Sequence, residues 1–201
     1  MMGMAIFSNV NADNLTNPNR TLSGPYLGLG VSNQSVVSGA AIAGFDVLAK
    51  DRRTVTEVSG GYRFPLSQHV FIGAEVQYGA LNGELSFNSN EFGVHIDYDT
   101  DSQISYGLTF GGQLSERTVL SIYALELERD FDIVIQSPFG EFTQKDSQGA
   151  LRYGVVLEAL LNNRWSVKSS LGRVKTGIAK SKNNITYGTQ IDFGVSLNYY
   201  F

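Results

Sequence analysis

The chain has 201 residues, no cysteine, and 15 Lys or Arg against 19 Asp or Glu, a formal charge of −4. One domain accommodates that length. The missing thiols exclude disulfides and thiolate metal sites, and the acidic balance argues against nucleic acid as a partner. With 42% hydrophobic residues and no long apolar run, no helical membrane span is encoded; a membrane barrel stays open, because only alternate residues of its strands face lipid.

Residues 1–24 read as leader and linker. Met1 to Ala12 is a short apolar stretch with small residues placed for cleavage after Ala12, without a basic start. The remnant of an export signal and a plain disordered leader both fit. Residues 25–201 then form a series of eight segments that alternate with the period of two of a strand.

In the first segment, Leu27, Leu29 and Val31 alternate with Tyr26, Gly28, Gly30 and Ser32. The second sets Thr56, Val58, Gly60, Tyr62 and Phe64 against Glu57, Ser59, Gly61 and Arg63. The third sets Val70, Ile72, Ala74, Val76 and Tyr78 against Phe71, Gly73, Glu75 and Gln77, and the fourth Ile104, Tyr106, Leu108 and Phe110 against Gln103, Ser105, Gly107, Thr109 and Gly111. The fifth reads Val119, Tyr123, Leu125 and Leu127 on the apolar side and Ala124, Glu126 and Glu128 on the polar side. Its alternation continues to Ile133, as if the hairpin to the sixth segment projects beyond a membrane.

The sixth opposes Leu151, Tyr153, Val155 and Leu157 to Arg152, Gly154, Val156 and Glu158; the seventh opposes Trp165, Val167 and Leu171 to Ser166, Lys168, Ser170 and Gly172. The last alternates strictly from Gln190 to Phe201, with Ile191, Phe193, Val195, Leu197, Tyr199 and Phe201 on one face.

Connections alternate in length. Residues 65–68, 115–117 and 162–164 are tight polar turns, whereas 33–53, 82–101, 136–148 and 178–188 are long. Short turns at one end and long loops at the other, with an even strand count, predict an all-β, eight-stranded antiparallel up-and-down transmembrane β-barrel. The apolar stretch from Ala40 to Ala49 fits extended strand or one helical turn.

A soluble barrel alternates the same way with its faces reversed. Three features favour lipid outside. The polar face is rich in glycine, which costs stability on an exposed face but makes room in a narrow interior. Aromatics cluster near strand ends as interfacial girdles: Tyr62, Phe64, Trp165, Tyr199 and Phe201 at one rim, Tyr78, Tyr106 and Tyr153 towards the other. The polar face also carries Glu57, Arg63, Glu75, Glu126, Glu128, Arg152, Glu158, Lys168 and Asp192. Inside a dry lumen such charges persist only when paired. Arg152 and Lys168 are plausible partners for Glu158, Glu126 or Glu128. Two roles fit the network, a structural plug or a gated, conducting lumen; eight strands favour the plug.

With these residues in place, the chain resembles small bacterial outer-membrane β-barrels of the OmpA/OmpX-like porin superfamily. The resemblance rests on eight strands, loop asymmetry and the closing Ser196-Leu197-Asn198-Tyr199-Tyr200-Phe201. It implies outer-membrane localisation, contact with lipid and lipopolysaccharide, a monomer, and a C-terminal signal for the barrel-assembly machinery at Val195, Leu197, Tyr199 and Phe201. The chain stops at the barrel, so peptidoglycan anchoring is not carried over.

The expected function is structural or surface-binding (adhesion or envelope integrity) through four long loops, possible ligands being host or cell-surface molecules. Loop 82–101 is acidic, with Glu84, Glu91, Asp97, Asp99 and Asp101; loop 178–188 is basic through Lys180 and Lys182. A narrow channel for small solutes is the alternative, and a lipid-modifying enzyme the remoter one. His69 is read as filling space on the polar face, and His95 lies near Asp97 without lipase-like spacing. Asp97 to Asp101 clusters oxygens but lacks the glycine and terminal Glu of an EF-hand loop. No catalytic, cofactor or metal residue is assigned, and no enzymatic activity is expected.

Overall fold

A computed structural model describes residues 23–42, 45–81, 85–89, 94–99, 102–138, 140–176 and 190–201. The leader (1–12), most of the linker, and loop 178–188 with Lys180 and Lys182 lie outside them. The strands are β1 (Gly24–Ile42), β2 (Phe45–Pro65), β3 (Val70–Leu81), β4 (Leu85–Ser89), β5 (Val94–Asp99), β6 (Ser102–Ser115), β7 (Thr118–Ser137), β8 (Gly140–Leu160), β9 (Trp165–Thr176) and β10 (Gln190–Tyr200).

Eight of these close an antiparallel barrel in the order β1-β2-β3-β6-β7-β8-β9-β10, with β10 back against β1. The closing seam pairs Leu27 with Tyr199 and Leu29 with Leu197. From Gln34 the register runs through Asp192, Gly172, Gly154, Tyr123, Thr109, Gly73 and Arg63 and returns to β1 at Gly24, ten residues away. With eight strands, that stagger gives a tilt of about 40° and a backbone radius of about 8 Å. Such a barrel has room inside for side chains and little else.

The polarity is inside out. Glu158, Asp192 and Asn198 are fully buried, whereas Leu29 is 61%, Leu108 58% and Ile191 58% exposed. Water does not stabilise a continuous apolar outer belt around a charged interior; lipid does. Both aromatic rims face outward. At the turn end the Tyr62 ring lies tilted against Phe64 (4.5 Å between ring centroids), Trp165 edge-on to Tyr199 (5.0 Å) and Tyr199 edge-on to Phe201 (5.1 Å).

The turns are locally determined. The Asn162 side chain accepts from the amides of Arg164 (2.8 Å) and Trp165 (2.9 Å), and the amide of Leu66 donates to the Val70 carbonyl (2.8 Å). His69 is exposed in this turn, not in the lumen, because its position precedes the first inward residue of β3, Phe71.

Two further expectations change. The connections at the other end are largely ladder. β1 and β2 stay paired up to Ile42↔Phe45, so Ala40 and Ala49 lie in strands, and β7 and β8 stay paired up to Ser137↔Gly140. Extending the hairpin satisfies backbone groups that an irregular loop would leave to water. Within 82–101, β4 and β5 form a hairpin whose second strand adds to the extended edge of β7. The Asp132–Lys145 pair on the β7–β8 extension (3.2 Å) is 52% and 83% exposed. Its removal is expected to change stability by less than about 0.5 kcal/mol in a urea titration.

The second change is the facing of β7. Glu126 and Glu128 are exposed on the outer surface, and Val119, Tyr123, Leu125 and Leu127 are buried inside. Leu120 and Ile122 lie outside beside lipid, so both faces of this strand are apolar at the turn end and hydrophobicity alone does not orient it. Register does. Glu126 sits opposite Tyr106 and Leu151, both outward.

Candidate functional site: the barrel interior

Alternation sends every second residue of eight strands into a space about 16 Å across between backbones, and glycines decide where the long side chains go. A Cβ on Gly172 would lie 2.1 Å from the Tyr123 hydroxyl, and one on Gly61 2.6 Å from the Tyr26 hydroxyl. Charges then settle in two tiers.

The turn-end tier centres on Arg63. Its Nη2 lies 2.7 Å from Glu158 Oε2, and its guanidinium carbon is 4.4 Å from the Phe71 ring centroid, 5.2 Å from that of Tyr200 and 5.4 Å from that of Tyr26. Glu158 also accepts hydrogen bonds from Tyr200 (2.6 Å) and from the Ser166 hydroxyl. Lys168 Nζ lies 3.6 Å from Glu75 and 4.0 Å from the Tyr26 ring centroid. Tyr26 donates to that same carboxylate.

The loop-end tier centres on Arg152, 2% exposed. It binds Glu57 through Nη1 at 2.9 Å and Asp192 through Nε. Its Nη1 also donates to Gln77 Oε1 (2.6 Å), while the Gln77 amide donates to Glu75 (2.6 Å). Gln77 therefore links the tiers. Above Arg152, Arg129 donates to the amide oxygens of Gln34 (2.6 Å) and Gln103 (2.9 Å), and Gln34 in turn donates to Glu57 (3.0 Å). Between the tiers lies a cavity of about 50 Å³ whose lining includes Gly30, Ser59, Thr109, Ser121, Ser170 and Ser196. A polar void of that size accommodates water but no larger solute.

Of the nine charged residues expected inside, the structure brings Glu57, Arg63, Glu75, Arg152, Glu158, Lys168 and Asp192 together and puts Glu126 and Glu128 outside. The pairing also differs from expectation. Glu158 is bound by Arg63, not by Arg152, and Lys168 reaches Glu75 although its cross-strand neighbour is Glu158. The tilt explains this, since side chains meet partners across the lumen at equal height rather than along the hydrogen-bonded line. Residues not singled out from sequence include Tyr26, Gln34, Gln77, Gln103, Arg129, Ser166 and Tyr200. Most stand on the inward face that alternation had already identified; Arg129 was hidden by the wrong facing of β7.

His95 Nε2 lies 3.1 Å from Asp97 Oδ1 on β5. Thr100 and Asp101 fall outside the described residues, among which no group of three or more metal-type ligands is present.

The family model for the outer membrane protein beta-barrel domain matches residues 4–201. No curated protein matches the sequence. Among solved structures, the chain is similar to Neisserial surface protein A (NspA; TM-score 0.55, 9% identity, covering 89% of this chain and 98% of that one). A major outer membrane protein from Thermus thermophilus is also similar (TM-score 0.52, 12% identity, 88% and 99% covered). The Ail protein of Yersinia pestis gives TM-score 0.49 at 14% identity, 89% and 99% covered. Matched along nearly its whole length, the chain belongs to the outer membrane protein beta-barrel domain family, and its place is the bacterial outer membrane.

Proposed function

We propose that this barrel is a closed, monomeric envelope protein that works through its exposed end, as a structural element and a surface for ligands. The observation that carries the closed lumen is the pair of charged tiers linked by Gln77, which spans the bore from Arg63 to Arg129. The surface role draws on the extended strands. β7 and β8 run beyond the barrel, and β5 adds to them, giving rigid hairpins of the kind on which recognition is usually built. Contact with lipid and lipopolysaccharide belongs to this reading, and catalysis does not.

The test is adhesion of cells displaying the protein, with and without the β4–β5 hairpin, to arrayed host glycans and matrix proteins. Binding that disappears with the hairpin while the heat-shifted gel band persists supports the reading. Equal binding by both overturns it. The second reading, a narrow channel, is favoured only by the water-sized cavity between the tiers.

Val195, Leu197, Tyr199 and Phe201 are proposed as the signal read by the barrel-assembly machinery. Phe201 is 61% exposed; its amide reaches the Pro25 carbonyl (3.3 Å) and its ring lies edge-on to Tyr199, so few contacts tie it to the folded barrel. Deleting Phe201 is expected to lower the protein's level in the outer membrane severalfold while leaving refolding in detergent unchanged. Immunoblotting of membrane fractions beside a refolding gel checks this.

A further inference from the structure

The outer face of β9 carries Trp165, Val167, Ser169, Leu171, Arg173 and Lys175 in sequence. Its last two members break the apolar belt. Arg173 stands opposite Tyr153 on β8 and Ile191 on β10, and Lys175 opposite Leu151. All three neighbours face outward, with Tyr153 36%, Leu151 46% and Ile191 58% exposed. Both cations are exposed, and among the described residues neither has a hydrogen-bond or ion-pair partner.

Height gives these charges a meaning. Eight residues separate Trp165, in the turn-end girdle, from Arg173, which at a 40° tilt is about 20 Å along the membrane normal, and Lys175 lies about 5 Å higher. The apolar band of such barrels is about 25 Å tall. Arg173 and Lys175 thus stand at the upper edge of the band, their stems along lipid and their heads at the polar boundary. The nearest outward carboxylate on that register line, Glu126, is two strands away with Leu151 between, about 10 Å off. Glu128 beside it accepts the Tyr106 hydroxyl (3.0 Å). The rim is therefore divided, acidic at β7 and basic at β9.

We infer that Arg173 and Lys175 bind the phosphate groups of the phosphorylated glycolipid of the outer leaflet, the sugar backbone lying over Tyr153 and Ile191. The inference rests on the reading that the long hairpins face outward. A guanidinium fork matches phosphate in a bidentate manner, an ammonium adds a second contact, and with no described outward carboxylate closer than Glu126 the headgroup phosphates at this level are the anions nearest to both. The commitment is to the glycolipid, whose phosphates sit on a sugar at the outer boundary, over an anionic phospholipid.

The experiment is native mass spectrometry of the refolded chain in an uncharged detergent, titrated with bisphosphorylated lipid A, dephosphorylated lipid A and phosphatidylglycerol. The wild type is expected to bind bisphosphorylated lipid A on the order of tenfold more tightly than Arg173→Gln/Lys175→Gln does. Dephosphorylated lipid A and phosphatidylglycerol should bind the wild type no better than lipid A binds the variant. Arg117→Gln/Arg164→Gln, at the opposite rim, should bind lipid A like the wild type. Equal binding of lipid A by wild type and the β9 variant overturns the inference, as does phosphatidylglycerol matching lipid A, or an equal loss in the opposite-rim variant. Heat-shifted gel mobility is read on every sample, so loss of the barrel is distinguished from loss of the site. If the double variant does not fold, Lys175→Gln is judged alone, with an expected loss of about threefold.

Discussion

Arg152→Met is expected to lower the unfolding free energy by about 3–5 kcal/mol, measured by urea titration of the protein refolded into lipid vesicles. Arg152 is the cation that pairs directly with both Glu57 and Asp192, and Asp192 is wholly buried. Methionine fills much of the same volume but leaves two carboxylates without the cation they share, beside a cavity with room for only a few waters. The cost of a broken buried pair is mainly that of the charge left behind. It follows that Arg152→Met with Glu57→Gln and Asp192→Asn should regain most of the loss, since neutral amides carry no such penalty. A triple variant as unstable as the single one would show that Arg152 acts by packing instead.

The second large effect is at Gly154. A Cβ there would lie 2.3 Å from the Leu171 carbonyl oxygen and 2.5 Å from the Gly172 Cα, and no rotamer change relieves a clash with backbone. Gly154→Ala must push β8 and β9 apart where Tyr123 lies against the glycine pair, at a cost of about 3 kcal/mol. Gly149 on the same strand has nothing within 4 Å of an added Cβ. Gly149→Ala is therefore expected to be neutral or slightly stabilising, because alanine suits an open strand position better. Equal effects at the two sites would contradict the view that interior glycines are there for room.

How far the sequence reached can be judged from the strands themselves. β10 was legible in full because one of its faces is wholly apolar and the other mostly small or polar, so period and facing come together. β7 was legible as a strand but not in its facing. Leu120 and Ile122 match Leu125 and Leu127 in hydrophobicity, and only pairing with β6 and β8 shows which pair meets lipid. The outer rim charges Glu126 and Glu128 were lost to the same ambiguity.

Seven interior charges followed from alternation, yet none of the partnerships Arg63–Glu158, Lys168–Glu75 or Arg152–Asp192 did. The first two contacts cross the lumen and the third skips over β9, at heights set by the ten-residue stagger. That stagger is a property of the closed ring and of no local segment. The β4–β5 hairpin was likewise missed, although Leu85 and Phe87, then Val94, Ile96 and Tyr98, alternate with polar residues; strands of five and six residues in an acidic stretch read as loop, and the edge of β7 that β5 joins is not visible locally.

The central claim is that paired charges close the bore. Planar-bilayer recording of the refolded wild-type protein tests it most directly. The two-tier interior predicts a silent membrane, with no steady single-channel steps; steady steps of sizeable conductance from the wild-type chain would contradict a closed lumen.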